Sequence, residues 1–266
     1  MGLVPCIVVS ILYVLITMFL AEVLRKLAVG IFEPRSLVLI AIKEFIAAAE
    51  MCACSFELII IADNYGIMAY AAFLFLLTIW WSDHWDDASA CPYVHFESCL
   101  EGTMSVVETI VRTLAETAGG LAVFRYVQLL WALEFAETHV GRPHSLAFDE
   151  CSADLQVPVL YGALIEGVAT MLCRLTSKLL SDNEPRYSSA IDSFVATALV
   201  IAAFDYSGGY YNPVLATGLK YGCRGHTTTE LVLVYWLGSS LGAIASIYVY
   251  PPLKRFMGGQ PKPKEA

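Results

Sequence analysis

The sequence has few charged residues and no concentration of basic ones. Only 15% of its 266 residues are charged, and the formal net charge is -9 at pH 7. Nucleic-acid backbones are bound through clustered Lys and Arg, so this composition argues against a nucleic-acid partner. Hydrophobic residues make up 58% of the chain, well above the share usual for a soluble domain. We therefore expect a polytopic membrane protein in contact with lipid.

The sequence also lacks the patterns of common catalytic and metal sites. Its eight cysteines include no Cys-x-x-Cys, and Cys52 and Cys54 lie inside an apolar run, where buried thiols are the expected explanation. No Ser/His/Asp or Gly-x-Ser-x-Gly arrangement is present, and the Gly208-Gly209 pair is not followed by the Lys-Ser/Thr of a phosphate loop. We expect no enzyme activity, no metal and no cofactor.

Long apolar segments dominate the chain instead. The first, from Leu3 to Ala21, has no positive charge before it and no good cleavage site after it, so a retained helix is favoured over a cleaved signal peptide. Six further membrane spans are predicted at Leu37–Ala62, Gly66–Trp81, Met104–Leu133, Val157–Leu180, Ser189–Phe204 and Glu230–Tyr250.

Two shorter segments begin at a residue followed by proline, after Cys91-Pro92 and after Asn212-Pro213. Proline suits the first position of a helix, and Asn before it can cap the turn. Both segments are too short to cross a bilayer and are predicted to be re-entrant, which implies a cavity because non-helical backbone at membrane depth must be buried or line water.

The two halves form a repeat. Glu44 lies 47 residues before Cys91, and Glu166 lies 46 residues before Asn212. Each short segment is followed by a span with small residues at helix-packing spacing, Ala115-x-x-x-Gly119 and Gly238-x-x-x-Gly242. Because each half has three spans, the halves must have opposite topology. Two half-helix N-termini would then face one another, repelling cations while accepting neutral dipolar solutes.

The basic residues predict the orientation. Ten fall on one side of the predicted spans: Arg25, Lys26, Arg35, Arg174, Lys178, Arg186, Lys254, Arg255, Lys262 and Lys264. Three fall on the other: Arg142, Lys220 and Arg224. This imbalance places the C-terminus in the cytoplasm and Met1 on the far side. Cys151 and Cys223 also fall on the far, oxidising side, where a disulfide between them is one possibility.

These features together resemble the major intrinsic proteins, or aquaporins, over Leu37 to Tyr250. The resemblance is carried by Asn212-Pro213-Val214, by Glu44 and Glu166, and by the motif Tyr235–Gly242. The degenerate first motif Cys91-Pro92-Tyr93 and the surroundings of Cys52-x-Cys54 are similar to the unorthodox superaquaporin branch, particularly its insect-type members.

The resemblance implies an all-α membrane protein with the aquaporin hourglass fold. This fold is an inverted repeat of six transmembrane helices and two re-entrant half-helices, here with an extra N-terminal hydrophobic helix. The corresponding division is residues 1–36, N-terminal helix and linker; 37–134, first repeat; 135–156, lumenal or extracellular loop; 157–250, second repeat; and 251–266, cytoplasmic tail.

The resemblance also implies roles for particular residues. Glu44 and Glu166 would hydrogen-bond the re-entrant loops. Cys91 stands where the family usually has Asn, and a thiol is a weaker donor than an amide. Leu215 stands where water-selective members have Arg. By the family's offsets, the remaining constriction positions are Ala71, Val200 and Gly209, all small or apolar.

The implied function is a passive channel for water or small neutral solutes such as glycerol and hydrogen peroxide. By resemblance it would form a homotetramer in an intracellular membrane, the endoplasmic reticulum or vesicles, with the plasma membrane as an alternative. A non-conducting structural or adhesion protein that keeps the fold is the alternative function, and a polytopic membrane enzyme is disfavoured by the absence of a catalytic constellation.

Overall fold

The computed structural model describes residues 5–140 and 151–257. Four residues whose side of the membrane was predicted above lie outside the described residues: Met1, Arg142, Lys262 and Lys264. The helices are α1 (Cys6–Ile31), α2 (Leu37–Tyr65), α3 (Ile67–His84), α4 (Pro92–Leu100), α5 (Val106–Ala122), α6 (Phe124–Trp131), α7 (Val159–Asn183), α8 (Ser188–Ser207), α9 (Pro213–Lys220) and α10 (Thr228–Phe256). A 3-10 turn, Glu137–His139, follows α6, and the stretch Val232–Gly238 inside α10 is π-helical.

Six of these helices are long and apolar enough to cross a membrane: α1, α2, α3, α7, α8 and α10. The predicted all-α membrane fold is therefore confirmed. The two shorter predicted segments form α4 and α9, with 9 and 8 residues, and each begins with its proline at the first helical position.

The span predicted over Met104–Leu133 consists of two helices. This region forms α5, of 17 residues, and α6, of 8 residues, which are separated at Val123. The break follows the Gly119-Gly120 pair, where glycine weakens the helical backbone. Hydrogen bonds from Val123 N to Gly119 O and from Val127 N to Val123 O still connect the two helices, so the chain keeps its direction.

Several helices run past the ends that hydropathy predicted. In α1 the helix continues from Ala21 to Ile31, and α10 continues through Pro251 and Pro252 to Phe256. Polar side chains stabilise these extensions: Arg25 pairs with Glu22 at 3.1 Å, and Lys254 pairs with Asp182. An apolar run therefore marked where the hydrophobic part of a helix ends, and not where the helix ends.

The repeat is visible in the packing of its small residues. A methyl group on Gly119 would lie 2.3 Å from the carbonyl oxygen of Phe45, so α5 contacts α2 directly through its backbone. In the second half, a methyl group on Gly242 would lie 2.0 Å from the carbonyl oxygen of Gly167 in α7. Phe45 and Gly167 are the residues after Glu44 and Glu166. Each half therefore brings its small-residue helix against the equivalent turn of its Glu-bearing helix.

The N-terminal helix α1 packs on this bundle through buried polar contacts. Arg25 is 3% exposed, and its Nη1 lies 2.5 Å from Oε2 of Glu50 in α2. Thr17 Oγ1 lies 2.9 Å from the hydroxyl of Tyr126 in α6, and the ring of Tyr13 packs edge-on against His139. A buried guanidinium requires a charged or hydrogen-bonding partner, and Glu50 of α2 supplies it for Arg25. Helix α1 therefore packs on α2 as part of the folded chain.

The segment Cys151–Gln156, which we call the strap, is tied to the end of α9. The structure joins Cys151 and Cys223 in a disulfide, as the sequence allowed. The backbone of Ala153 donates to Arg224 O at 2.8 Å, and Arg224 N donates to Cys151 O at 3.0 Å. The strap is thereby held across the C-terminal end of α9.

Candidate functional site: the junction of the two half-helices

The loop before α4 is held by Glu44. Oε2 of this carboxylate accepts hydrogen bonds from the backbone N–H groups of Ser89 and Ala90, each at 3.1 Å. Oε1 accepts from Nη1 of Arg112 at 2.6 Å. Glu44 is fully buried, so the loop amides and the guanidinium supply the partners that water cannot.

The loop before α9 is held in the same way by Glu166. Its Oε1 accepts from the backbone N–H of Tyr210 at 3.3 Å and from the hydroxyl of Ser207 at 2.5 Å, and its Oε2 accepts from the N–H of Tyr211. Ser89-Ala90 and Tyr210-Tyr211 each immediately precede the N-cap residue of a half-helix. The two carboxylates therefore contact equivalent backbone positions in the two halves.

The residue just before each half-helix cap adopts a left-handed backbone conformation. The φ angle is 51° at Ala90 and 25° at Tyr211. Residues with a Cβ rarely adopt positive φ, and they do so where surrounding contacts impose it. Glu44 and Glu166 bind the N–H groups of these two residues, so the buried carboxylates stabilise the sharp turns that aim the half-helices.

The two half-helices meet through Asn212. Its Oδ1 caps α9 by accepting from the backbone N–H groups of Val214 and Leu215, at 3.0 and 3.3 Å. Its Nδ2 donates to the carbonyl oxygen of Ala90 at 2.9 Å and to the sulfur of Met51 at 3.4 Å. In this conformation both amide hydrogens have protein partners. The side-chain amide of Asn212 therefore joins the two loops.

Cys91 occupies the equivalent cap of α4 without performing the same role. Its thiol makes no capping hydrogen bond to the half-helix, and its backbone N–H donates to Ser89 Oγ at 3.3 Å. The side chain is 6% exposed. The two half-helices therefore differ at their caps, and the weaker donor expected at Cys91 stays a prediction.

The remaining motif residues pack into the bundle. Pro92 and Pro213 occupy the first helical positions, and both are buried. Val214 is fully buried, and its side chain lies 3.0 Å from the position of a Cβ added to Gly120. Tyr93, with 5% exposure, packs in a cluster with Ala243. Each half-helix therefore contacts the small-residue helix of the bundle, where side chains of limited size let it approach.

A buried charged cluster surrounds Glu44. The Nε2 atom of His95 lies 2.8 Å from Glu116 and 3.3 Å from Glu44, and Arg112 also contacts Asp87 at 2.9 Å. Glu44, His95 and Glu116 bring one potential metal-ligand atom each within 4.8 Å of one another. Arg112 already binds the Glu44 oxygen that faces His95, so a guanidinium takes the position that a cation would need. Cys52 and Cys54 are both fully buried.

A cavity of 230 Å³ lies beside α9, on the side of the strap. Leu215 lines it, as do Tyr70, Phe204, Tyr210 and Gly208. The structure therefore places Leu215 at a cavity wall, together with Tyr70, the neighbour of Ala71 in α3. Val200 and Gly209 contact each other instead: a Cβ on Gly209 would lie 2.5 Å from Val200 O. The four constriction residues proposed from sequence stay a prediction.

Sequence reasoning missed several residues around these sites. Four of them surround Glu44: Arg112, His95, Glu116 and Asp87. Two buried acids bind neighbouring elements: Glu50 pairs with Arg25 of α1, and Glu57 binds Trp131 of α6 and His139. A signal was available, because an ionisable residue inside an apolar span needs a partner. The sequence did not say which partner, since Glu57 and His139 are 82 residues apart.

The known proteins that resemble this chain in sequence are aquaporins. The chain is 31% identical over 256 residues to aquaporin-11 of Milnesium tardigradum, an alignment that covers 96% of this chain and 92% of that protein. It is 27% identical over 248 residues to aquaporin-12 of Mus musculus, covering 91% and 84%. It is 30% identical over 189 residues to putative aquaporin-12A of Homo sapiens, covering 71% and 63%. No protein-family model matches the chain.

Proposed function

This chain belongs to the aquaporin family, in its superaquaporin branch, and we propose that it is a passive pore for water and small neutral solutes such as glycerol or hydrogen peroxide. It is a multi-pass membrane protein and, by its relatives, a membrane channel. The residues that we assign to the pore are the two motifs, Cys91-Pro92-Tyr93 and Asn212-Pro213-Val214, and the constriction at Ala71, Val200, Gly209 and Leu215.

One observation carries the proposal: the starts of the two half-helices lie next to each other, with Asn212 before α9 only 2.9 Å from Ala90 before α4, measured from Nδ2 to O. Each N-terminus is equivalent to roughly half a positive charge. A solute that passes this junction meets two positive helix ends, which disfavour cations and accept the oxygen atoms of neutral molecules. No cofactor or enzymatic step is needed for such transport.

We further propose that four copies assemble, each with its own pore, in an intracellular membrane with the C-terminus in the cytoplasm. These proposals come from the family and from the distribution of basic residues.

The second candidate is a non-conducting structural or adhesion protein. Both amide hydrogens of Asn212 are bound inside the protein, to Ala90 and Met51, and this observation favours a closed junction. A rearrangement that frees one of these hydrogens would be required before Asn212 could bind a solute.

Stopped-flow light scattering on proteoliposomes separates the two candidates. We expect purified protein to accelerate shrinkage in an impermeant osmotic gradient and re-swelling in a glycerol gradient, with protein-free vesicles as the baseline. The matched control is Leu215→Trp, which fills part of the 230 Å³ cavity and should reduce both rates. Equal rates in wild-type and protein-free vesicles for water, glycerol and hydrogen peroxide would favour the non-conducting candidate.

A further inference from the structure

The cavity beside α9 has an apolar wall and a polar corner. Ile59, Tyr70, Phe204, Leu215 and Leu219 form the apolar wall. Asp154, Tyr210 and Lys220 form the polar corner, and Asp63, an exposed residue, also lines the cavity. A water molecule takes about 30 Å³ of liquid volume, so a cavity of 230 Å³ has room for a solute larger than water.

Asp154 is the centre of the polar corner. Its Oδ1 accepts from Nζ of Lys220 at 3.0 Å, and its Oδ2 accepts from the hydroxyl of Tyr210 at 2.5 Å. The side chain of Lys220 is only 12% exposed, and its ammonium also donates to Ser152 O at 3.0 Å. An ammonium has three hydrogens and a carboxylate about four acceptor positions, so this corner keeps one donor and further acceptors for a ligand.

The fold fixes this corner in place. The strap carries Asp154 and is tied to the end of α9 by the Cys151–Cys223 disulfide. Gly208 lies directly beneath, because a Cβ there would approach the Cβ of Asp154 to 3.0 Å. Lys220 is the last residue of α9, so the half-helix that carries Leu215 also carries this ammonium.

We propose that Asp154, Tyr210 and Lys220 form the outer selectivity site of the channel, which recognises small neutral solutes that carry hydroxyl groups. This inference rests on the proposed channel function. Lys220 supplies a cation to the cavity that Leu215 lines, and Asp154 neutralises it. The paired site offers a donor and acceptors without net charge, while the apolar wall accepts carbon atoms. A small polyol has both kinds of surface.

Two variants of opposite charge test the site in proteoliposomes that hold the full chain. Water, glycerol and methylammonium fluxes are measured for each. Lys220→Gln leaves Asp154 without its cation, so we expect a several-fold increase in methylammonium uptake and a several-fold fall in the glycerol-to-water ratio. Asp154→Asn leaves the ammonium unpaired, so we expect the ratio to fall while methylammonium stays excluded.

The matched control is Lys254→Gln. Lys254 pairs with Asp182, which also binds the hydroxyl of Tyr250, so the same three residue types meet in α7 and α10 away from the cavity. We expect wild-type fluxes from this variant. Thermal unfolding and elution volume confirm folding for each protein. If both charge variants fail to fold, Tyr210→Phe decides, with an expected fall in the glycerol-to-water ratio and no cation uptake.

The outcomes separate this inference from the proposed function. A wild-type protein that passes none of the tested neutral solutes overturns both. A wild-type protein that conducts, with folded variants whose ratios and methylammonium uptake stay within about twofold of wild type, overturns the outer site alone. Methylammonium uptake that rises in Lys220→Gln but not in Asp154→Asn, with a lower glycerol-to-water ratio in both, supports the site.

Discussion

At the residue scale, the two half-helix caps differ in chemistry although their surroundings are equivalent. The side chain of Asn212 accepts two backbone hydrogen bonds from α9, and the side chain of Cys91 accepts none from α4. The buried carboxylates Glu44 and Glu166 hold both loops, so the loss of one cap does not remove the turn. The asymmetry therefore affects the groups presented at the junction more than the fold around them.

Restoring the missing cap is a direct test. We expect Cys91→Asn to stabilise the protein by about 1 kcal/mol, because an Asn cap adds hydrogen bonds to the first turn of α4. It should also raise water permeation several-fold by supplying a second amide at the junction. Thermal unfolding and stopped-flow scattering measure the two effects. Cys91→Ala adds no donor and should show neither gain; equal gains from both variants would contradict the role of the amide.

Leu215 is the second position where the residue type should set permeation. We expect Leu215→Arg to depress glycerol permeation several-fold more than water permeation, because a guanidinium narrows the cavity and binds water there. The glycerol-to-water ratio in proteoliposomes is the readout. Leu215→Met, of similar volume and without charge, is the matched control. An unchanged ratio in folded Leu215→Arg protein would mean that this position does not control selectivity.

His226, on the same side of the molecule as the strap, should make the stability of the fold depend on pH. Burial lowers the pKa of His226 below its ordinary value of 6.5, Lys220 acts in the same direction, and Glu230 and Asp154 oppose it. Below pH 6.5 the unfolded chain therefore binds this proton more readily than the folded chain, and stability is lost as pH falls through the folded pKa. We expect the melting temperature of wild type to drop between pH 7.5 and 5.5, and His226→Gln to drop less. Identical drops would exclude this residue as the source.

At the element scale, hydropathy and spacing identified most of the bundle. The apolar runs gave α2, α3, α7, α8 and α10 in the right order, and proline at the first helical position gave both half-helices. The spacings of Glu44 and Glu166 from the motifs, 47 and 46 residues, identified the two loop-binding carboxylates. These features can be read from local sequence. A membrane span needs a minimum length of apolar residues, and proline marks the first position of each re-entrant helix.

The features that sequence did not give depend on distant contacts. The positive φ angles at Ala90 and Tyr211 arise from buried carboxylates 46 and 45 residues earlier in the chain. The polar corner joins Asp154 to Lys220, 66 residues later. The sequence shows which polar residues are present but not which of them contact each other. Those contacts decide whether a polar residue holds the fold together or lines a cavity.

The contact between α1 and α2 leads to a stability prediction. Because Arg25 and Glu50 are both buried, Arg25→Met leaves a carboxylate without its cation and should destabilise the protein by about 3–5 kcal/mol. The double variant Arg25→Met/Glu50→Leu should recover much of this loss. Thermal unfolding in detergent measures it. Lys26→Met is the control, because Lys26 is exposed and its pair with Glu22 should contribute less than about 1 kcal/mol. Equal effects of Arg25→Met and Lys26→Met would contradict a structural role for the buried pair.

At the scale of the whole molecule, the number of crossings fixes the relation between the two ends. Within residues 5–140 and 151–257, six helices can span a membrane by length and composition, and α5 with α6 occupies the place of the remaining predicted span. An odd number of crossings puts the ends on opposite faces, whereas loss of α1 would leave an even number. Arg25 no longer counts as a flanking charge because it is buried, but the excess of basic residues on the C-terminal side remains.

We therefore expect an N-terminal tag to lie on the lumenal or extracellular face and a C-terminal tag in the cytoplasm. In sealed microsomes, protease added outside should remove the C-terminal tag and spare the N-terminal one, and both should be lost after detergent. The disulfide adds an internal marker, because Cys151 and Cys223 must share the oxidising face with the N-terminus. Removal of both tags from sealed microsomes would contradict seven crossings, and a mature chain that begins beyond Glu22 would show that α1 is cleaved and that Glu50 needs another partner.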